Sequence, residues 1–200
     1  MTDPESLKTE LDQIITESLT ELGGSDVAYT ELLTFLNKHN MLVRPRRLLV
    51  GQLIFFKYAP QDHRFIESNR PFDTYPLIFI TTAYRGGFEG INLHYLDPET
   101  RSLLFENMRK SFTTLGEPSR TARININYHA MRTKRPLRLF KPCYRNYKWD
   151  GIRKSPISVP FQFWETLINQ DLGFFRKKRK SNIYLESWKT IRKPTGRKGK

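Results

Sequence analysis

Residues 76–96 read PLIFITTAYRGGFEGINLHYL. Two segments rich in β-branched, aliphatic and aromatic residues flank Arg85-Gly86-Gly87, a turn signal in which glycine accepts positive φ without strain. The pattern predicts a β-hairpin of strands over 76–84 and 88–96. Upstream, GQLIFFKYAP at 51–60 repeats the same composition, so a third strand is expected over 51–58. Three antiparallel strands of this kind predict a small, strongly twisted, SH3-like sheet, whose closure into a barrel periodicity alone leaves open. Between the first two strands, residues 59–75 (APQDHRFIESNRPFDTY) form a long polar connection.

Helices are expected on both sides of the sheet. Leu7, Leu11, Ile14, Ile15, Leu19 and Leu22 recur at helical spacing over 5–22, and Gly23-Gly24 ends the run. Ser25 or Asp26 then caps a second helix to Lys38, with Leu32, Leu33, Phe35 and Leu36 on its buried side. Asp97-Pro98-Glu99 starts a helix to about residue 112 that buries Leu103, Leu104 and Met108. Residues 121–131 are read as helix, 136–149 as extended or irregular, and 160–169 as a short helix. The fold class is therefore α+β. An acidic helical hairpin (1–44) precedes an α+β body (45–175), and a basic C-terminal tail (176–200) follows.

The chain has 200 residues and a formal charge of +14. A charge of that size opposes compaction and calls for an anionic partner. Its distribution is uneven. Residues 1–40 hold eight acids and two bases, whereas residues 176–200 hold eleven bases and one acid, Glu186. Residues 119–149 hold nine bases and no acid. A charge run can be a solvated face, but a stretch of 31 residues without an acid is hard to explain as solubilisation alone. No run approaches the roughly 18 apolar residues of a membrane span, and no signal peptide is apparent, so no membrane partner is expected. The single cysteine, Cys143, cannot form an internal disulfide.

Catalytic patterns are missing from the sequence. His39, His63, His94 and His129 stand apart from one another and from Cys143, so no metal site or cofactor is expected. There is no Walker loop, GxSxG or HExxH. Asp62, Glu67, Asp73 and Glu89 are the nearest approach to a metal-nuclease carboxylate set, and surface charge accounts for them equally well. On an alternating strand Asn92 and His94 share a face, where His94 reads as a hydrogen-bonded structural residue. What the chain offers instead is cations interleaved with aromatic rings. The expected nucleic-acid-binding residues are Arg132, Lys134, Arg135, Arg138, Lys141, Arg145 and Lys148, together with Arg176, Lys177, Lys178, Arg179 and Lys180. Tyr128, Phe140, Tyr144, Tyr147 and Trp149 could stack on unpaired bases or serve as core.

Five stretches taken together carry a family resemblance: GQLIFFKYAP (51–60), FDTYPLIFI (72–80), GGFEGINLHYLDPETRSLLF (86–105), FKPCYRNY (140–147) and FWETLINQDLGFFRKKRKSNIYLESWKTI (163–191). In order and spacing, over residues 45–191, the chain resembles the DNA end protector proteins of T-even-like, contractile-tailed phages. GINLHYL is the most specific element. The hairpin at 1–40 lies outside the resemblance, and the 59–75 loop keeps only Phe72-Asp73-x-Tyr75-Pro76 of the family form. The resemblance implies a non-enzymatic virion protein, assembled in the host cytoplasm. Such a protein would bind the ends of packaged linear double-stranded DNA, shield them from host exonuclease and help complete heads for tail joining. The alternative is a structural component of the neck, tail or baseplate, whose basic surface binds other virion proteins.

Overall fold

The computed structural model describes residues 3–20, 24–43, 50–68, 70–109 and 140–192. Two N-terminal helices, α1 (Pro4–Thr20) and α2 (Ser25–Lys38), pack on an antiparallel sheet. The sheet is built from β1 (Leu53–Tyr58), β3 (Leu77–Tyr84), β4 (Gly87–Asn92), β5 (Tyr144–Lys148) and β6 (Ile152–Ser158), in the order β5-β4-β3-β1-β6. A short helix α3 (His63–Glu67) and strand β2 (Phe72–Asp73) interrupt the connection between β1 and β3. Helix α4 (Pro98–Arg109) follows β4, and α5 (Trp164–Asn169), β7 (Phe175–Arg176) and α6 (Lys180–Arg192) follow β6. The expected α+β class is the observed one.

The runs LIFF and LIFI are continuous rather than alternating because β1 and β3 are buried on both faces. Leu53, Phe55, Leu77, Phe79 and Ile91 face the helices and share one core with Leu11, Leu32, Phe35 and Trp164. Burial of each such large side chain contributes about 1.5–3 kcal/mol. The hairpin is therefore part of the same core as the sheet. Ile54, Phe56, Ile78, Ile80, Phe88 and Tyr147 point the other way and form a second core. Phe56–Phe88 at 5.6 Å and Tyr58–Tyr147 at 5.0 Å between centroids meet edge to face, while Phe88 and Tyr147 stack at 5.5 Å. In this antiparallel order β1 is paired on both sides and the 3-10 turn Trp149–Gly151 joins the two edge strands.

Five strands stand where three were expected. β5 (YRNYK) lies in the stretch read as extended or irregular, while β6 (IRKSPIS) was not expected as a strand, because edge strands carry charge and β6 tolerates Pro156. The second strand of the hairpin ends at Asn92, not residue 96. The Asn92 side chain accepts the His94 N–H at 3.0 Å and starts the 3-10 turn Leu93–Tyr95. Gly86 and Gly87 do not supply positive φ at the turn; the left-handed glycines among the described residues are Gly24 and Gly51. Gly87 is required for close approach instead, since a Cβ there would lie 2.1 Å from the Tyr147 carbonyl oxygen.

Other expectations shift in detail. The residue before α2 is Gly24 at φ 92°, so neither Ser25 nor Asp26 is the cap. Asp97 does start α4, accepting the Thr100 N–H at 2.9 Å, but Leu103 is exposed while Leu104, Phe105 and the whole of Arg101 are buried. The stretch expected to begin a tail at 176 is folded as far as Arg192. Arg176 pairs with Phe72, and α6 buries Ile183 and Ser187. The helix expected over 121–131 and the chain beyond Arg192 lie outside the described residues. Among the described residues no helix is long and apolar enough to cross a membrane.

Candidate nucleic-acid interface

Three separated segments converge on one cleft of about 640 Å3. The β1–β3 connection supplies Asp62, Phe65, Arg70 and Phe72. The turn before β5 and the strand itself supply Lys141, Tyr144, Arg145 and Lys148, and α6 supplies Glu186 and Thr190. The strand alternates here for a reason. Tyr147 points into the second core, which leaves Asn146 and Lys148 exposed on the opposite face.

The cations of the cleft fall into two groups. Lys148 is matched by Asp62, with Nζ to Oδ2 at 2.8 Å, and this bond holds the Asp62 carboxyl below its ordinary range. Arg70, Lys141 and Arg145 have no carboxylate partner among the described residues. The Arg145 guanidinium lies 3.7 Å from the centroid of the buried Tyr95 ring, and its Nη1 donates to the Tyr144 carbonyl at 2.8 Å. Cation–π contact and hydrogen bond together fix its plane against the wall. Phe65 and Phe72 meet edge to face at 6.1 Å and add apolar surface to the lining.

Asp73, buried in the lining of the cleft, centres a polar network. The Asp73 carboxylate accepts the backbone N–H groups of Tyr75 (3.1 Å) and Phe174 (3.0 Å), the Asn92 amide (2.9 Å) and His94 Nδ1–H (2.7 Å). Burial opposes ionisation of Asp73, but the electrostatic attraction of His94 and these hydrogen-bond donors outweigh it and hold the carboxyl below its ordinary range. Burial lowers the His94 pKa despite its charged neighbour, so the ring is neutral, with Nδ1 protonated towards Asp73. The network ties β2 and β4 to the loop before β7, and Gly173 lets that loop pass with a virtual Cβ only 2.9 Å from the His94 Cβ. His94 is thus the structural residue expected of it, although on a turn rather than a strand.

The sequence-expected residues separate clearly. Lys141, Arg145 and Lys148 come together at the cleft; Arg132, Lys134, Arg135 and Arg138 lie outside the described residues. Of the second block, Arg176 stacks over Phe174 at 5.1 Å and Lys177 Nζ donates to the Ile66 carbonyl at 2.6 Å. Lys178 is ion-paired with Glu186, and Lys180 with Asp171 at 2.7 Å. Arg179 is exposed. Part of this cluster's charge is therefore used within the fold. Among the aromatics, Phe140 and Tyr147 are core, Tyr144 lines the cleft and donates to the Glu89 carboxylate, and Trp149 packs on Phe88 at 4.8 Å. Tyr128 lies outside the described residues.

Arg70, Phe65 and Phe72 were missed, because the 59–75 loop reads as a polar connection; the signal was its own interleaving of Arg with Phe. Of the carboxylates weighed for a nuclease, Glu67 bonds His63 at 3.0 Å and Glu89 takes Tyr144 and Asn146. No group of three or more His, Cys, Asp or Glu side chains that could hold a metal occurs among the described residues. Burial pushes the Cys143 thiol up to about 12, which leaves it a poor nucleophile. No family model, no curated protein and no solved structure matches the chain.

Proposed function

We propose that the protein is a non-enzymatic virion component of a contractile-tailed phage that binds the ends of packaged linear double-stranded DNA. It would shield those ends from host exonuclease and help complete heads for tail joining. The observation that carries this reading is the gathering of Arg70, Lys141 and Arg145, free of carboxylate partners among the described residues, around an aromatic cleft. Lys and Arg supply sequence-independent affinity for phosphates, and aromatic faces accept bases. The resemblance over residues 45–191 points in the same direction. Protection is steric, since an occupied end cannot thread into an exonuclease and no bond is made or broken.

The test is binding and exonuclease protection on linear and circular duplex DNA. It uses the full chain and a version ending at Arg192, which keeps α6 intact. Preferential binding to linear DNA with digestion blocked is the expected result. Equal, weak binding to both forms without protection would reject it.

A second reading, a neck, tail or baseplate component, is favoured by a different observation. The outer side of α1 exposes Glu5, Asp12 and Glu17, while the Lys177–Lys180 segment already makes contacts to Glu186 and Asp171. Acidic and basic surfaces on one chain suit docking between protein neighbours. A symmetric ring of copies in the particle, with the basic surface against protein, would favour this reading. One or two copies on the DNA would favour the first.

A further inference from the structure

Resting on the DNA-end reading above, we infer that the cleft between α3, β5 and α6 holds an unpaired terminal nucleotide rather than a length of duplex. At about 640 Å3 the cleft is the size of a small-molecule pocket, roughly 300–1,000 Å3. Its lining comes from three segments gathered at one place, whereas a length of duplex would require an extended basic trough along the phosphate backbone. The chemistry also divides as a nucleotide does. The Arg145 guanidinium, 3.7 Å over the Tyr95 ring, lines the cleft with Lys141 and Arg70 and suits a phosphate, while the Asp62, Glu186 and Asp73 carboxylates of the same lining are taken by Lys148, Lys178 and His94. Phe65 and Phe72 offer the apolar side against which a base can lie.

This assigns end preference a physical origin. An internal base must break stacking on both sides and its pairing to leave the helix, while a terminal base has one stacking neighbour and frays at the lowest cost. A site that accepts only an unstacked base therefore selects ends without reading sequence. Closed circular DNA offers no such base, so only the weaker backbone contacts remain.

The experiment compares fluorescence anisotropy titrations of the full chain with two duplexes of equal length. One has blunt paired ends and the other has its last three base pairs mismatched, with covalently closed circular DNA as competitor. The frayed duplex should bind at least about tenfold tighter than the blunt one, the stacking of one base being the difference. Phe65→Ala, and separately Arg70→Ala with Lys141→Ala, should bring frayed affinity down to the blunt level, while Phe65→Tyr preserves it. Equal affinity of the wild-type protein for frayed and blunt ends would overturn the inference, yet leave end binding standing if both outcompete the circle. Equal affinity for all three DNAs, or no binding to any, would overturn the inference and the end-binding reading together.

Discussion

Asp73 and His94 are wholly buried, and only one of the two carries charge. Both pKa values are depressed in the fold, so each contributes stability that is present at high pH and lost in acid. The unfolded chain takes up a proton at His94 near its ordinary value of about 6.5, and at Asp73 near about 3.9. The urea midpoint should therefore fall as pH drops from 7 to about 5, and fall again below about 4. His94→Gln should remove the upper limb only; a wild-type midpoint flat between 7 and 5 would contradict the neutral-histidine assignment. Arg101 makes a different demand. Its guanidinium serves the carbonyls of Leu96 (3.1 Å), Ile168 (3.1 Å) and Gln170 (2.7 Å), binding α4 to the end of α5. Arg101→Ala strands these buried acceptors and should cost about 3 kcal/mol in equilibrium unfolding. Arg101→Lys should recover only part, since an ammonium cannot span the fork. Gly87→Ala, with its Cβ against the Tyr147 carbonyl, should cost about 1–3 kcal/mol by the same measurement.

Helix α6 is the element whose character changed most between sequence and structure. Its basic composition hid an apolar side, because Ile183 stands among Lys, Ser, Asn and Tyr and gives only a faint helical pattern. A chain ending at Phe175 loses that buried side and the Arg176 pairing to β2, and should melt at a lower temperature with broadened unfolding. A chain ending at Arg192 should melt like the full chain. Equal melting temperatures for all three would mean that α6 adds nothing to the body. Helix α2 shows the converse. Asp26, read as a cap, instead reaches the sheet through Lys154 (2.7 Å), Lys57 (3.3 Å) and the Tyr75 hydroxyl. The Lys154 and Tyr75 hydrogen bonds pull its pKa to about 2. The side chain is half exposed, so Asp26→Asn should cost no more than about 1 kcal/mol.

At the scale of the whole molecule, charge is segregated between an acidic hairpin and a basic cleft face. If about 6–10 phosphates are neutralised on binding, affinity for DNA should fall by about 10³–10⁵ between roughly 50 and 200 mM salt. A flat salt response in a binding titration would argue against any phosphate-gripping role. Much of the architecture was legible beforehand. The apolar runs around 53–56 and 77–80 pointed to strands. Asp97-Pro98 required a helix start, and the acid-free block around Lys141, Arg145 and Lys148 required an anionic partner or a solvated face. Those readings rest on local properties: side-chain period, backbone preference and charge density. Tertiary structure alone decided which cations remain available. Lys148 meets Asp62 across 86 residues, whereas Arg70 and Arg145 reach one cleft from segments far apart in the chain. It also decided that Asp73 is buried in the lining of that cleft and bonded to His94. Pairing and burial depend on contacts distant in sequence, and no local pattern of residues encodes them.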